Sequence, residues 1–414
     1  MIFMPMTRTH IARLLCFVVV FFLLLPMVRG EDFFSLKKRL VESSRFRFGF
    51  LYINPFLTLD NVGYTDNIYS YDNISRPDWT ADVGLDVRVA SILGDRFIVV
   101  LRDKPFYSLY LENKTEEAFN NNLNAALHTY LGRLNLTFEV ERSSYRQRPT
   151  REFGSRVRFS REGETVSIDY GKHTSFYVNL FAGVTRHRFE NDNYLGNPEY
   201  DLSRLLDREE VNTGVNLNKI MFSRTRMYLN VEYFSYSFTH SPDRNGDGSL
   251  VSVGFILPQI GLVTGSLRVG YKFYSPRNPV YQDYSTPFGT GKVSVLLFRR
   301  LKLKVNYLLE NYFSFYNPEQ YYNDRTAGLG AEFYFTRSIK IGYDFHVGEM
   351  VFRNLVDSAV RRTDNTQSST LTLAIRLYKN FGIGVQYIRF RGESDEFNFS
   401  RSYEFIGGYI THEF

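Results

Sequence analysis

Cysteine is nearly absent from this sequence: Cys16 is the only one in 414 residues, which leaves no pair for a disulfide framework. Tryptophan also occurs once. Beyond residue 30 no stretch is apolar enough, for long enough, to cross a membrane as a helix, which takes about 20 residues. Charge of one sign is scarce too. The formal net charge is +6, of which Arg8, Arg13 and Arg29 supply three, and the remaining excess is spread evenly rather than in basic runs. That argues against a nucleic-acid partner.

What is present is aromatic and alternating. There are 30 Tyr and 38 Phe, beside 23% charged residues. In Leu301–Glu310 the residues Leu301, Leu303, Val305, Tyr307 and Leu309 fall on one side of an extended chain. Lys302, Lys304, Asn306 and Glu310 fall on the other. A helix would scatter both sets around its circumference. The pattern recurs at Arg133–Glu141, Arg226–Tyr233, Val263–Phe273 and Ser338–Val347. Alternation alone also fits a soluble sandwich, so segment length, connections and chain ends must decide.

The first thirty residues differ from the rest. Arg8 and Arg13 precede the apolar core Leu14–Leu25, which ends at Pro26, and Val28 and Gly30 suit cleavage before Glu31. Residues 1–30 therefore read as an export signal, and Cys16 goes with them. The next residues, 31–45, read as a short periplasmic segment with an amphipathic helix that carries Phe33, Leu36, Leu40 and Val41 near one face.

From residue 46 eighteen strand candidates follow: 46–60, 78–90, 95–111, 116–131, 132–146, 151–161, 164–188, 206–219, 223–240, 247–257, 261–277, 284–298, 301–316, 322–336, 338–353, 366–378, 380–392 and 400–414. Short turns, such as Leu131-Gly132, Arg161–Glu164 and Arg299-Arg300, alternate with long polar loops at 61–78, 191–203, 241–248, 275–283, 356–367 and 391–400. Each strand with its connection takes roughly 21 residues, against ~9–11 needed to cross the apolar layer. Only a closed sheet satisfies its backbone in lipid, where each unpaired N–H or C=O costs several kcal/mol. The predicted fold is all-β: a transmembrane antiparallel up-and-down β-barrel over 46–414 in a bacterial outer membrane. About 18 strands are expected, with 16 or 20 as alternatives because 164–188 is long for one strand. The last strand ends on Phe414, with Ile410 and Ile406 on the same face, like the C-terminal signal that barrel-insertion machinery reads. His412 departs from that pattern.

Three stretches, Pro55–Ser70, Leu205–Phe238 and Asp247–Phe255, resemble a family of outer-membrane β-barrel porins that often accompany exopolysaccharide assembly systems. The resemblance implies a conduit for polysaccharide export that works with periplasmic export components. It supplies no catalytic residues and no cofactor. A general diffusion porin for small hydrophilic solutes is the alternative, and a barrel enzyme or an adhesin comes behind it.

Chemical motifs are weak. Asp243, Asn245 and Asp247 match the first half of a calcium loop, but its twelfth position is Gly254 where a bidentate Glu belongs, so a plain loop is the better reading. Phe288–Val293 echoes a phosphate loop without its leading Gly or final hydroxyl. His128, His173, His187, His240, His346 and His412 sit on separate segments without a nucleophile motif. The expected lumen lining is Arg156, Arg158, Arg226, Glu232, Arg268, Lys272, Lys302, Lys304, Glu310, Lys340, Asp344 and Arg376, with Arg88, Asp82, Asp86, Glu139, Glu141 and Asp169 beside them. Such a wall reads as a cross-strand ion-pair lattice, or as a weakly anion-favouring path. Tyr107, Tyr110, Tyr307, Tyr312, Phe313, Tyr321 and Tyr322 are expected as interfacial girdles facing the lipid.

The exported protein accordingly begins at Glu31. N-terminal sequencing of protein purified from outer membranes is expected to read Glu31-Asp32-Phe33-Phe34, and retention of residues 1–30 would overturn the signal assignment.

Overall fold

A computed structural model describes residues 33–71, 75–148, 151–154, 156–172, 174–190, 201–221, 225–257, 262–315, 320–357, 359–378, 381–395 and 400–411. Residues 1–30, expected as an export signal, His173, His412, Phe414 and most of loop 191–203 lie outside them.

The helices are α1 (Phe33–Ser43) and α2 (Leu202–Leu206). The strands are β1 (Phe46–Phe48), β2 (Leu51–Thr65), β3 (Asp78–Leu93), β4 (Phe97–Asp103), β5 (Phe106–Tyr110), β6 (Ala118–Leu131), β7 (Leu134–Gln147), β8 (Val157–Tyr170), β9 (Phe176–Phe189) and β10 (Arg208–Met221). They continue as β11 (Thr225–Phe238), β12 (Gly246–Ile256), β13 (Val263–Pro276), β14 (Tyr284–Leu297), β15 (Leu301–Phe313), β16 (Tyr321–Tyr334), β17 (Ile339–Arg353), β18 (Val360–Tyr378), β19 (Phe381–Ser394) and β20 (Arg401–Thr411). All lie in one antiparallel sheet in which, apart from β4 and β5, each strand pairs with its neighbours in sequence.

β4 and β5 are one stave broken at Lys104-Pro105, where proline has no N–H to give the ladder. Both pair with β3 on one side and β6 on the other. β1 is a short cover for the lower edge of β2. The barrel therefore has eighteen staves. It closes where Val62–Thr65 pairs with Phe405–Gly408. Gly63 is required at this closure, because a Cβ there would collide with the Ile406 carbonyl and the Gly407 backbone.

Side-chain facing follows the expected alternation. Leu303, Val305, Tyr307, Val231, Tyr233, Leu371 and Leu373 are exposed on the outer wall. An outer surface this apolar is the inverse of a soluble sandwich and calls for an apolar solvent.

Several boundaries differ from the sequence reading. β8 runs straight through Arg161–Glu164, and the turn falls at Gly171–Ser175 instead. Those polar residues lie in a strand that rises above the apolar band, where polarity no longer signals a turn. β2, β18 and β19 likewise extend into the polar stretches assigned to loops.

The upper ends of β15 and β16 leave the wall. β14 pairs with β15 only up to Gly289↔Leu309, and Pro287, just above, has no N–H for that edge. Asn311, Phe313, Tyr321 and Asn323 carry the outward parity of their strands, yet they pack on inward residues of β11–β14. Tyr284 Oη donates to Asn311 Oδ1 at 2.7 Å and stacks on Tyr321 at 4.4 Å, while Phe313 meets Tyr236 and Phe238 edge-on. The tips of these strands thus fold inside the barrel. This corrects the girdle expectation: Tyr107 and Tyr307 face outward, whereas Tyr110, Tyr312, Phe313, Tyr321 and Tyr322 lie within.

At the short-turn end α1 packs Phe33 and Leu40 on the inner wall against Ala90, Ile92 and Ile98, and Phe33 stacks on Tyr130 at 5.5 Å. Lys37 Nζ ties it down with a 2.6 Å bond to Asp95 and a 3.2 Å bond to the Gly94 carbonyl.

Facing can be tested with one pair of substitutions. Val305→Arg, placed on the lipid face at mid-height, is expected to destabilise the folded barrel in vesicles by about 2–4 kcal/mol in urea unfolding. Asn306→Arg should cost far less because it points into water. Equal costs would contradict the assigned faces.

Candidate functional site: a lumen closed by inward loops

The lower inner wall is a polar lattice written by register. Asp169, Asn179, Asn216, Asn230 and Ser252 lie opposite one another on β8 to β12. Each side chain binds the next at 2.9–3.3 Å, and Arg268 joins the end through Ser252 and Asn230. Lys172 anchors the other end on Asp169 at 2.7 Å. Lys304 reaches Glu332 at 3.2 Å and Asp344 at 2.7 Å. It reaches Asp344 by crossing Gly330, where a Cβ would collide with the Asp344 carboxylate. Such bridging holds neighbouring staves at fixed spacing with charge-assisted bonds.

Most residues expected in the lumen are on this face. Arg226 donates to Tyr177 at 2.8 Å, Arg268 lies 3.7 Å from Glu232, and Lys272 lies 3.8 Å from Glu310. Lys302, Lys340 and Arg376 share the inward parity of Lys304, Asp344 and Ala374. Arg156 stacks on the buried Tyr110 at 4.7 Å, and burial lowers its pKa to about 10. Arg158 is the exception. Its neighbour Phe159 is the inward residue, stacked on Phe189 at 5.6 Å, so Arg158 faces out and pairs with Glu190 at 3.7 Å. The run Arg156-Arg158 looks like one face only if no bend separates Arg156 from β8.

The calcium-like loop is occupied by its own bonds. Asp243 accepts from Asn278 at 3.0 Å, Asn245 Oδ1 accepts the Phe238 N–H at 2.6 Å, and Asp247 binds Arg277 at 2.9 and 3.0 Å. Among the described residues no group of three or more His, Cys, Asp or Glu side chains is placed to hold a metal. Ile410 lies on β20 opposite Ile383 of β19.

The upper lumen holds what sequence reasoning missed. Segment 151–154, expected to open a strand, instead folds inside the barrel. Phe153 is the anchor, 4.9 Å edge-on from Phe315 and 6.5 Å from Tyr71, in a buried apolar core with Phe189, Leu202, Leu205 and Leu206. α2 supplies those leucines, and Asp201 caps it by accepting from the Arg204 N–H. Gly154 donates to Tyr71 Oη at 3.1 Å.

Two ion pairs pin this segment to the far wall. Glu152, fully buried, accepts from Arg362 at 3.2 Å, from Ser314 Oγ at 2.7 Å and from the Phe315 N–H at 3.1 Å. Burial pushes its carboxyl up, against the pull of Arg362. Arg362 also binds Asp364 at 3.0 Å and lies 3.7 Å over the Phe352 ring. Arg151 binds both oxygens of Asp324 at 2.8 and 2.9 Å, as well as the Thr326 hydroxyl. From a neighbouring loop, Arg244 donates to the Ser314 carbonyl at 2.6 Å, and burial lowers its pKa to about 10. The signal that could have found this loop is Pro149 followed by charged residues flanking a lone Phe153, too few to suggest a strand face.

The pinned segment lines one cavity of about 450 Å³, and a second of about 480 Å³ shares Arg148 and Tyr403 with it. The first is lined by Arg151, Tyr312, Tyr322, Phe390 and Arg401 among others, and the second by Thr65, Asp82, Ser108, Arg146 and Arg156 among others.

No family model matches the chain, and no curated protein is significantly similar to it. Solved structures are. Pseudomonas aeruginosa OccK2 (OpdF) aligns with a TM-score of 0.50 at 11% identity, over 87% of this chain and 97% of that one. A BenF-like porin from Pseudomonas fluorescens Pf-5 gives 0.50 at 10% identity, over 86% and 98%. Pseudomonas aeruginosa OpdK with vanillate gives 0.51 at 8% identity, over 87% and 98%. At such identities the likeness is one of fold: the chain is a closed 18-stave antiparallel barrel of the outer-membrane porin architecture.

Proposed function

We propose that this protein is an outer-membrane channel for small hydrophilic solutes, with anion preference set where arginines crowd the upper lumen. The observation that carries this reading is the docked segment 151–154. It narrows the barrel with Glu152, Phe153 and Gly154 buried and Arg151 bound to Asp324, yet it lines a cavity of about 450 Å³, the scale of small solutes, and a second of about 480 Å³ adjoins that one at Arg148 and Tyr403. Polysaccharide export rests on the sequence resemblance alone, and a polymer would need this segment to leave its site. Removing one member of a buried pair typically costs about 3–5 kcal/mol, so spontaneous departure is rare.

α1 supports a second reading, in which residues 31–45 form a stopper that a periplasmic export component withdraws. Its contacts with the inner wall at the short-turn end are of the kind a stopper makes.

In planar bilayers the purified protein is expected to carry a small, steady current with a reversal potential shifted toward chloride in a salt gradient. Glu152→Ala, which strips acceptors from Ser314, Phe315 and Arg362, should raise the conductance severalfold. Deletion of 31–44 should leave the current nearly unchanged. Silence in the wild type that ends only on that deletion would favour the stopper, and cation preference would overturn the proposed selectivity.

A further inference from the structure

Four of the short turns are described in full: 94–96, 132–133, 298–300 and 335–338. Each carries exposed arginine, namely Arg96, Arg133, Arg299 with Arg300, and Arg337. The one carboxylate in these turns is Asp95, and Lys37 holds it at 2.6 Å. Among the described residues no carboxylate lies within salt-bridge distance of the five arginines. Higher on the outer wall exposed arginines are answered: Arg142 by Glu162 at 3.3 Å, Arg277 by Asp247 at 2.9 Å and Arg325 by Glu349 at 3.6 Å.

Beside each of these arginines stands an apolar side chain that the protein leaves uncovered. Phe97 and Leu134 follow Arg96 and Arg133, Phe298 precedes Arg299, and Phe335 lies two residues before Arg337; all four are exposed. Phe298 is the extreme, at 90%. It and Arg299 hold φ of 51° and 60°, the left-handed region where tight hairpin turns favour Asn-Gly. A strained turn that lifts a phenylalanine clear of the fold leaves that ring to find its partner outside the chain.

The arrangement is a ring and not a patch. Counting β2 as the first stave, the four turns follow staves 2, 4, 12 and 14 of eighteen, so they stand in pairs on opposite sides of the barrel. A compact partner docking from one side would touch one pair only, whereas a lipid leaflet surrounds the barrel and meets both. Guanidinium forks match phosphate oxygens, and aromatic rings settle at the headgroup level beside them. A zwitterionic headgroup adds no net charge there. An anionic one neutralises an arginine that no carboxylate answers.

We propose that this rim binds anionic phospholipid of the periplasmic leaflet, with lipid phosphate on the arginines and acyl chains against Phe97, Leu134, Phe298 and Phe335. The proposal depends on the short turns facing the periplasm and not on what the lumen carries, so its failure leaves the channel reading untouched.

The test is fluorescence quenching in the full mature protein, reconstituted in phosphatidylcholine vesicles. One preparation carries a fluorophore at Ser338→Cys, next to Arg337 and near Arg300, whose carbonyl accepts from the Tyr334 N–H at 2.8 Å. A second carries it at Tyr107→Cys, on the outer wall toward the long loops. Nitroxide-labelled phosphatidylglycerol and nitroxide-labelled phosphatidylcholine are compared as quenchers at equal mole fraction. At Ser338 phosphatidylglycerol should be enriched about fivefold, the effect of one basic group at an anionic surface, and molar salt should reduce it. At Tyr107 the two lipids should quench alike. Arg299→Gln, Arg300→Gln and Arg337→Gln together should abolish the preference at Ser338, and the same three positions changed to Lys should keep part of it. All variants must migrate as folded barrels in unheated gels.

Equal quenching by both lipids at Ser338, or a preference that survives the three glutamines, would overturn the proposal. The same preference at Tyr107 would also overturn it, by reducing it to the pull of a net positive barrel. Sedimentation with purified cell-wall sacculi is measured on the same variants. Sedimentation that the glutamines abolish, with no lipid preference, would overturn the proposal in favour of cell-wall carboxylates.

Discussion

A backbone N–H in hydrocarbon has no water to fall back on, and each one left unmet costs several kcal/mol. Closure of the sheet is the constraint on which the rest of this molecule depends. It fixes an even number of staves, because both ends of the chain's strand order meet at Val62–Thr65 and Phe405–Gly408. It explains Gly63 at the seam, the cover strand β1 on the lower edge of β2, and the position of Pro287 where β14 loses its neighbour. Alternation then follows: a closed wall has one face for lipid and one for water, and the sequence repeats that division strand after strand.

A barrel of eighteen staves encloses more room than its inward side chains can fill, and the two halves of this lumen are filled differently. Below, asparagines and ion pairs at matched register tie stave to stave along the wall. Above, loops from distant parts of the chain enter and build a second core around Phe153, Phe315 and Leu202. That core is apolar on one side and heavily charged on the other. Its charges reach the wall through Arg362 and Asp324, so its position is tied to the barrel and not merely lodged in it.

The barrel was legible in the sequence because its signal is repeated: eighteen alternating segments forgive an error in any one. Boundaries at Arg161–Glu164 were misread because polarity marks a turn only within the apolar band, and β8 rises above it. The lattice was legible in its charges, such as Lys304 and Asp344, but not in Asn179, Asn216 and Asn230, which carry no charge and gain meaning only from register. The upper lumen was hidden for a stronger reason. Glu152 and Arg362 lie 210 residues apart in sequence, and nothing local in either neighbourhood reports the other. Phe313 and Tyr321 read as lipid girdle because a strand tip that folds inward keeps the sequence pattern of one that does not.

The central claim is that segment 151–154 lies inside the barrel, pinned beside Ser314 and Phe315. Residues 31–414 contain no cysteine, so Phe153→Cys with Phe315→Cys is a clean pair. The decisive measurement is cross-linking of that pair with a short homobifunctional thiol reagent in outer membranes, followed by gel analysis after proteolysis between the two sites. The account predicts rapid, near-complete linkage that leaves the barrel folded. No linkage, with each single cysteine readily labelled by an impermeant thiol reagent from the cell exterior, would mean that the segment lies outside the lumen and would contradict it.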